Sequence, residues 1–320
     1  MLLQPLRIAH ISDLHVLDLA GTTWRQYLNK RVTGVANLLG ARRNAHPVAL
    51  AEKLADRLAK TDIDHVFITG DLTNLALDSE FARAKQVIAR IGPPHRVTLI
   101  PGNHDLYTKG SLKSGRFEQW FSTYLSDNRN VQLQTVPGRR DHFPLVRVPA
   151  PHIRVYGLSS AVPTLPLIAQ GQVGDAQLQR LEALVAAEPA EVTVRVVLVH
   201  HNLHRRHAKG DYMSQLLDRK AVAATIRRIG ATLVLHGHTH NPHQGHLARL
   251  TAAPIPVLGC GSSTWHRQDK EYARFNVITV GADRLVSVVS HRYASHADQF
   301  ELEHTDLLDR ALQPDRAIAL

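Results

Sequence analysis

The sequence predicts an α/β fold built on a parallel sheet, and three observations carry that prediction. Over residues 6–101, short apolar strands alternate with amphipathic helices in the order strand, helix, strand, helix, strand, the pattern of βαβ units. Each of these strands runs into polar side chains at its carboxyl end: Asp13 and His15, then Asp71, then Asn103, His104 and Asp105. Open α/β sheets keep their chemistry at that end. Finally, 320 residues with 44% hydrophobic content suffice for one large domain, or two small ones, with a real core.

Taken in order, residues 6–12 read as the first strand, with His10 inside it as a hydrogen-bonded structural histidine. Residues 48–60 form a helix because Leu50, Leu54 and Leu58 recur at i+4 with charges between them. A strand at 65–69 meets Gly70-Asp71, and a helix over 79–91, capped by Asp78 or Ser79, returns the chain to a strand at 96–101. Pro101-Gly102 ends that strand in a turn. Residues 116–125 read as a helix, and 131–134, 142–148 and 153–158 as strands of a second, more antiparallel sheet. Helices follow at 174–187 and 214–229. A β-branched strand over 192–199 ends at His200-His201, and a strand at 232–235 ends at Gly237-His238-Thr239-His240. Residues 243–250, 255–258, 275–280 and 285–289 read as hairpin strands. No linker or repeat divides residues 1–295, which form one domain, and 296–320 read as a loosely attached helix or tail.

Lysine and arginine exceed the acids by 38 to 28, with doublets at Lys30-Arg31, Arg42-Arg43, Arg139-Arg140, Arg205-Arg206 and Arg227-Arg228. Such a balance suits an anionic substrate, a nucleic acid or a membrane surface. The single cysteine, Cys260, rules out an internal disulfide and a cysteine metal cluster. With no basic, apolar leader in residues 1–10 and no run of eighteen apolar residues, the expectation is a cytoplasmic protein without a membrane span. Nor is there a Gly-x-Ser-x-Gly elbow around Ser262-Ser263; Gly259-Cys260-Gly261-Ser262-Ser263 reads either as a tight loop near the site or as a plain hairpin turn.

Twenty-one histidines are a reason to look for metal. Asp13 with His15, Asp71, Asn103 with His104, His200, and His238 with His240 stand at the ends of five strands. Carboxylates, imidazoles and one amide oxygen suit Mn, Fe or Zn better than Ca or Cu(I). The seven of these other than His104 are too many ligands for one ion and fit two ions that share a carboxylate, about 3.5–4 Å apart.

The ordered set Asp13-x-His15, Gly70-Asp71, Gly102-Asn103-His104-Asp105, His200 and Gly237-His238-x-His240 resembles the calcineurin-like metallophosphoesterase superfamily over residues 6 to about 290. The resemblance implies a four-layer α/β/β/α sandwich, with two mixed sheets flanked by helices. It makes Asp13, His15 and His240 the ligands of one metal, Asn103, His200 and His238 those of the second, and Asp71 the bridge. His104 becomes the group that stabilises or protonates the leaving oxygen, with Asp105 in the same catalytic loop. Asn74, His201 and His204 are candidate substrate-binding residues. Related sequences read His-His-Pro where Asn202 follows His200-His201 here. The protein-phosphatase branch carries an aspartate where this chain has Asn74, which weighs against a Ser/Thr phosphatase.

The implied chemistry is phosphate-ester hydrolysis by a metal-bridging hydroxide, because coordination by two cations draws the pKa of water from 15.7 towards about 7. Mn or Fe is favoured, with Zn an option. In length and motif order the chain resembles the bacterial class III cyclic-nucleotide phosphodiesterase group most, and that resemblance implies a phosphodiesterase. The alternatives are a pyrophosphatase of a lipid-linked nucleotide of the UDP-2,3-diacylglucosamine type, a nuclease, or a metal-free scaffold of the same fold. Metal content together with hydrolysis of a chromogenic diester separates scaffold from enzyme.

Residues 22–46 stand outside the common core. At 100° per residue, Trp24, Leu28, Val32, Val35 and Leu39 fall within about 80° of one another, beside Arg25, Lys30, Arg31, Arg42 and Arg43. That segment is expected either to pack over the mouth of the site as a lid or to meet an anionic membrane. Expected partners are a phosphate-ester small molecule, a cyclic nucleotide or a lipid-linked nucleotide, with peripheral membrane contact in the last case. Nucleic acid is disfavoured because no aromatic-basic ladder is present.

Overall fold

The computed structural model describes residues 4–27, 31, 45–125, 142–206, 211–267, 270–271, 273–305 and 307–320. The strand expected at 131–134 and most of the helix expected at 24–43 lie outside them.

The chain enters the core through β1 (Leu6–Ile11), whose last four residues are buried. α1 (Val48–Ala59) buries Leu50, Ala51, Leu54, Ala55 and Leu58, the face that the i+4 leucines predict. β2 (His65–Ile68) pairs parallel to β1 and β3 (Val97–Leu99) parallel to β2, with α2 (Asp78–Ile91) crossing between them. Glu80, rather than Asp78 or Ser79, holds the start of α2. Its carboxylate accepts from the Leu75 N–H at 2.8 Å and the Leu77 N–H at 3.1 Å, while the Ser79 hydroxyl donates to the Asp18 carbonyl at 2.6 Å. Burial pushes the Glu80 carboxyl up to about 8. Next come α3 (Lys109–Ser114) and α4 (Arg116–Leu125), which buries Phe117, Phe121 and Tyr124.

A second sheet begins with β4 (Leu145–Ala150) antiparallel to β5 (Ile153–Leu158), and α5 (Asp175–Ala186) leads into β6 (Val194–Val199), parallel to β5. α6 (Arg219–Arg228) leads into β7 (Leu233–His236), parallel to β6. α6 starts five residues later than the sequence predicts. Residues 213–217 instead bond the 169–171 stretch, with Ala169 N donating to Met213 O and Gly171 N to Gln215 O, and the Asp218 carboxylate accepts from Val173 and Gly174 N–H. β8 (His243–Leu247) is an edge strand antiparallel to β9 (Ile255–Gly259), which lies parallel to β7. After a small hairpin, β10 (His266–Arg267) and β11 (Lys270–Glu271), β12 (Arg274–Val280) returns to the first sheet antiparallel to β1.

β13 (Leu285–Ala294) and β14 (Gln299–His304) extend that sheet antiparallel. Residues 296–320 are therefore not a loose tail: β14 is the sheet's edge strand, and the short α7 (Leu307–Ala311) buries Leu307 and Ala311. Alternating Glu301, Leu302 and Glu303 read as a charged helix in sequence, but period-2 alternation on an edge strand looks the same over so few residues.

The two sheets run β14-β13-β12-β1-β2-β3 and β4-β5-β6-β7-β9-β8. β6 shows how they stack. Val196 and Leu198 join the core shared with Ile8, Phe67, Leu54 and Phe81, whereas Val197 and Val199 face the core made with Leu178 and Leu181 of α5 and Val222 and Ile226 of α6. Two mixed sheets, flanked by helices on their outer faces, form the four-layer α/β/β/α sandwich. Among the described residues no helix is long and apolar enough to cross a membrane.

Where the sheets meet, Gly157 of β5 leaves room for Ile100: a Cβ there would come within 2.6 Å of Ile100 Cγ2. Gly157→Ala is expected to destabilise the domain by about 1–3 kcal/mol through overpacking, read as a lower midpoint in denaturant unfolding with unchanged slope.

Candidate metal centre

β1, β2, β3, β6 and β7 all end on one rim, and each delivers its polar side chains there through the loop that follows. Those loops turn sharply. Asp13 (φ 54°), His15 (φ 44°), Asp71 (φ 54°), His238 (φ 71°) and His240 (φ 56°) all adopt the left-handed region, which costs non-glycine residues on the order of 1 kcal/mol or more and concentrates at functional sites. Backbone bonds between the loops keep them there: Asp13 N donates to Gly70 O, His15 N to Asp71 O, and Gly237 N to His200 O.

Asp71 lies at the middle. Its Oδ2 is 3.6 Å from His15 Nε2 on one side and 3.3 Å from His200 Nε2 on the other, and its Oδ1 accepts from the His104 N–H at 2.8 Å. On the His15 side, His240 Nε2 lies 2.9 Å from His15 Nε2 and 3.5 Å from Asp13 Oδ1, and Asp13 also accepts from the His238 N–H. On the His200 side, Asn103 Oδ1 lies 3.1 Å from His200 Nε2 and 3.0 Å from His238 Nδ1. The structure thus brings together all seven expected ligands in two groups, with Asp71 between them.

These groups fit cations. His200 gives its Nδ1–H to the Thr69 carbonyl and His238 its Nε2–H to the Ser214 carbonyl, so in the neutral rings the nitrogens turned towards Asn103 Oδ1 carry lone pairs. With both rings neutral, three acceptors converge with no proton between them, an arrangement that a cation resolves, be it a metal ion or a proton on His200. Donor atoms about 2.1 Å from one ion are spaced about 3.0–3.4 Å apart, and the separations on the His200 side, 3.0, 3.1 and 3.3 Å, fall in that range, while those on the His15 side spread from 2.9 to 3.9 Å. Electrostatics agree. Burial opposes ionisation of Asp71, yet His200 and His104 outweigh it and hold the carboxyl well below its ordinary value. Burial likewise disfavours charge on His200, but Asp71 raises it to about 9, a proton standing where positive charge is required. His15 and His238 are pushed well down, chiefly by burial and then by neighbouring imidazoles.

His104 packs edge-on to His15 with ring centroids 4.8 Å apart, and its Nδ1–H donates to the Asn74 carbonyl at 2.6 Å. Asp105 is fully buried. Its two oxygens accept from the N–H groups of Leu72, Thr73 and Gly102 and from the Thr73 hydroxyl. Burial and then Asp71 raise its carboxyl to about 7. Of the candidate substrate-binding residues, Asn74 is buried and its side-chain amide donates to the His15 carbonyl. His201 packs on His238, and both its ring nitrogens are engaged, with Ser160 Oγ at 2.8 Å and the Ala169 carbonyl at 3.0 Å. His204 is not with the cluster; it stacks on His243.

Two residues at the site escaped the sequence reading. His46 Nδ1 bonds Thr264 Oγ1 at 2.9 Å, its ring lies 4.6 Å from that of His15, and one nitrogen each from His15, His46 and His240 lie within 4.8 Å of one another. Trp265 walls the same side, 5.1 Å from His46 and 5.3 Å from His240. His46 follows no strand and sits in no motif, so only its excess among histidines pointed to it. The 259–263 loop is near the site, as one of its two readings held: Ser262 Oγ donates to the Asp13 carbonyl and Ser263 Oγ accepts from Ser12 N–H.

A family model described as calcineurin-like phosphoesterase matches residues 6–242. No curated protein matches the chain. Among solved structures, a dimetal phosphatase from Danio rerio is 15% identical, with a TM-score of 0.56, over 90% of this chain and 95% of that one. A metallophosphoesterase from Sphaerobacter thermophilus is 13% identical over 90% of this chain and 89% of that one, at a TM-score of 0.35. At such identities the first likeness is one of fold, and the second adds no argument.

Asp71→Asn is expected to weaken both ions of the centre together, whereas Asp13→Asn weakens one. Titration calorimetry with Mn²⁺, which prefers oxygen-containing shells, should show both binding steps shifted in the first variant and one in the second.

Proposed function

The chain belongs to the calcineurin-like phosphoesterase family, and from that premise we propose that it is a di-metal-dependent phosphodiesterase. The observation that carries this reading is Asp71 Oδ2, placed between His15 Nε2 at 3.6 Å and His200 Nε2 at 3.3 Å, the position of a shared carboxylate. The family uses a dimetal centre; Asp13, His15 and His240 would hold one ion here, Asn103, His200 and His238 the other, and Asp71 both. Bound cations supply Lewis acidity, which acidifies water and offsets charge on phosphoryl oxygens; the mixed oxygen and imidazole donors favour Mn or Fe.

The protein's own groups do the rest. His104 is anchored through Nδ1–H to the Asn74 carbonyl, which leaves Nε2 to deliver a proton to the departing oxygen. Asn74 therefore acts as a positioning residue, through its carbonyl on His104 and its side chain on the His15 backbone. Asp105 does the same, clamping the loops after β2 and β3 to one another.

For residues 22–46, Arg31 and His46 support the cover reading. Arg31 is buried, with Nε donating to the Leu75 carbonyl at 2.7 Å and Nη2 to the Ala76 carbonyl at 2.9 Å, beside the Asn74 that orients His104. At the other end of the segment His46 reaches into the cluster. Arg31 is thus spent inside the protein rather than offered to lipid headgroups, which supports the cover and, with it, a nucleotide-sized substrate over a lipid-linked one.

His104→Ala should keep its metals and lose kcat by about 10²–10⁴-fold on a diester with a poor leaving group, and much less on a nitrophenyl diester. Equal losses on both would remove His104 from the proton transfer. For the cover, the protein should stay in the supernatant with anionic vesicles at low salt; pelleting that weakens as salt rises would favour the lipid-linked substrate instead.

A further inference from the structure

We propose that His204, His236 and His243 form a third metal site, built from none of the residues of the di-metal cluster, that takes one Zn²⁺ ion. One ring nitrogen of each lies within 4.8 Å of the other two. His236 is fully buried at the end of β7, and its Nδ1–H donates to the Gly237 carbonyl at 3.0 Å, so its Nε2 carries the lone pair. That Nε2 lies 3.4 Å from Nδ1 of His243, the first residue of β8. The gap is long for a shared proton, since N–H donors usually sit about 2.7–3.2 Å from their acceptors. It matches two nitrogens about 2.05 Å from one tetrahedral ion, which stand about 3.3–3.4 Å apart.

His204 adds the third ring. Its Nδ1 is buried and has no hydrogen-bond partner among the described residues, and the ring is stacked on His243 with centroids 3.7 Å apart and planes 13° from parallel. Parallel rings cannot both aim a lone pair at one ion, so binding turns His204 out of the stack. Burial holds His204 and His243 at about 3 and about 2, in the neutral form that ligates. The backbone makes room for the group: a Cβ on Gly259 of β9 would lie 2.5 Å from His236 Cε1. On its outer side His243 lines a cavity with Pro242, Leu258, Gly259, Arg274 and Glu303, which opens one ligand of the group to solvent. Three neutral imidazoles with no thiolate or carboxylate suit Zn²⁺ rather than Mg²⁺ or Ca²⁺.

Each ligand lies close in sequence to one of the di-metal cluster: His204 four residues after His200, His236 two before His238, His243 three after His240. The ion would pin the loops that carry three of the seven expected ligands.

The full chain is loaded with zinc chloride, dialysed against metal-free buffer, and its zinc counted by mass spectrometry. Three ions per chain are expected in the unaltered protein and two in His243→Ala and in His204→Ala. Two ions in the unaltered protein, with the count unchanged in both variants, overturn the third site and leave the di-metal reading standing. One ion that both variants lose would keep the third site and overturn the di-metal reading. Should His243→Ala fail to fold, His204→Ala or Gly259→Ala, which crowds His236 without removing a ligand, carries the same test. Retention of all three ions in His204→Ala and Gly259→Ala also overturns the proposal.

Discussion

A fully buried carboxylate must be met by positive charge, and in this chain Asp71 sets that requirement for everything around it. Two histidines on opposite sides, His15 and His200, approach the same oxygen, while the other oxygen is taken by the His104 backbone N–H. That approach demands closely stacked loops: a Cβ at Gly102 would fall 2.1 Å from Asp71 Oδ1, and one at Gly237 would fall 1.9 Å from Ser12 Oγ and 2.6 Å from Asp13 Oδ2. The two glycines allow the backbone contact by which the strand ends converge, and the geometry of the centre follows from that contact more than from any side-chain rotamer.

The left-handed residues show where the fold accepts cost. Candidate ligand positions rather than glycines carry positive φ at Asp13, His15, Asp71, His238 and His240, and their strain is absorbed by hydrogen bonds below the rim. Asp105 does most of this beneath β2 and β3, since one buried carboxylate satisfies three backbone N–H groups and a hydroxyl in two loops. Ser262 and Thr264 do it beneath β1 by donating to the carbonyls of Asp13 and Leu14. A rigid scaffold of this kind fixes the cluster before any ion arrives, as a preorganised centre requires.

Much of this was legible in the sequence for one reason: period and punctuation agree. Leu50, Leu54 and Leu58 mark α1, and apolar runs ending in Asp71, Asn103, His200 and His238 mark both strand and site at once. Legibility fails where the deciding partner is distant in sequence. Glu80 caps α2 from inside the helix because the 75–77 turn bends back over it. Residues 214–218 leave the helix they predict because the 169–174 stretch offers backbone partners, and β14 forms because β13 presents an edge. His46 and Trp265 reach the cluster from segments with no periodic signal.

Function in this fold divides along the same line. The strands and their loops place the seven ligand candidates in a way that a linear reading recovers, since each loop needs only its own strand to be positioned. What surrounds the cluster comes from elsewhere: Trp265 from the loop after β9, Tyr107 stacked on His104 from the turn after β3, and His46 from the segment that precedes α1. These groups pack against the candidate ligands and His104 from outside the strand ends. Arg31 completes the arrangement, because its guanidinium holds the carbonyls of Leu75 and Ala76 next to the Asn74 carbonyl that orients His104. Arg31 and His46 thus meet the cluster from two sides, His46 beside the His15 ring and Arg31 at the turn whose Asn74 carbonyl receives the His104 Nδ1–H.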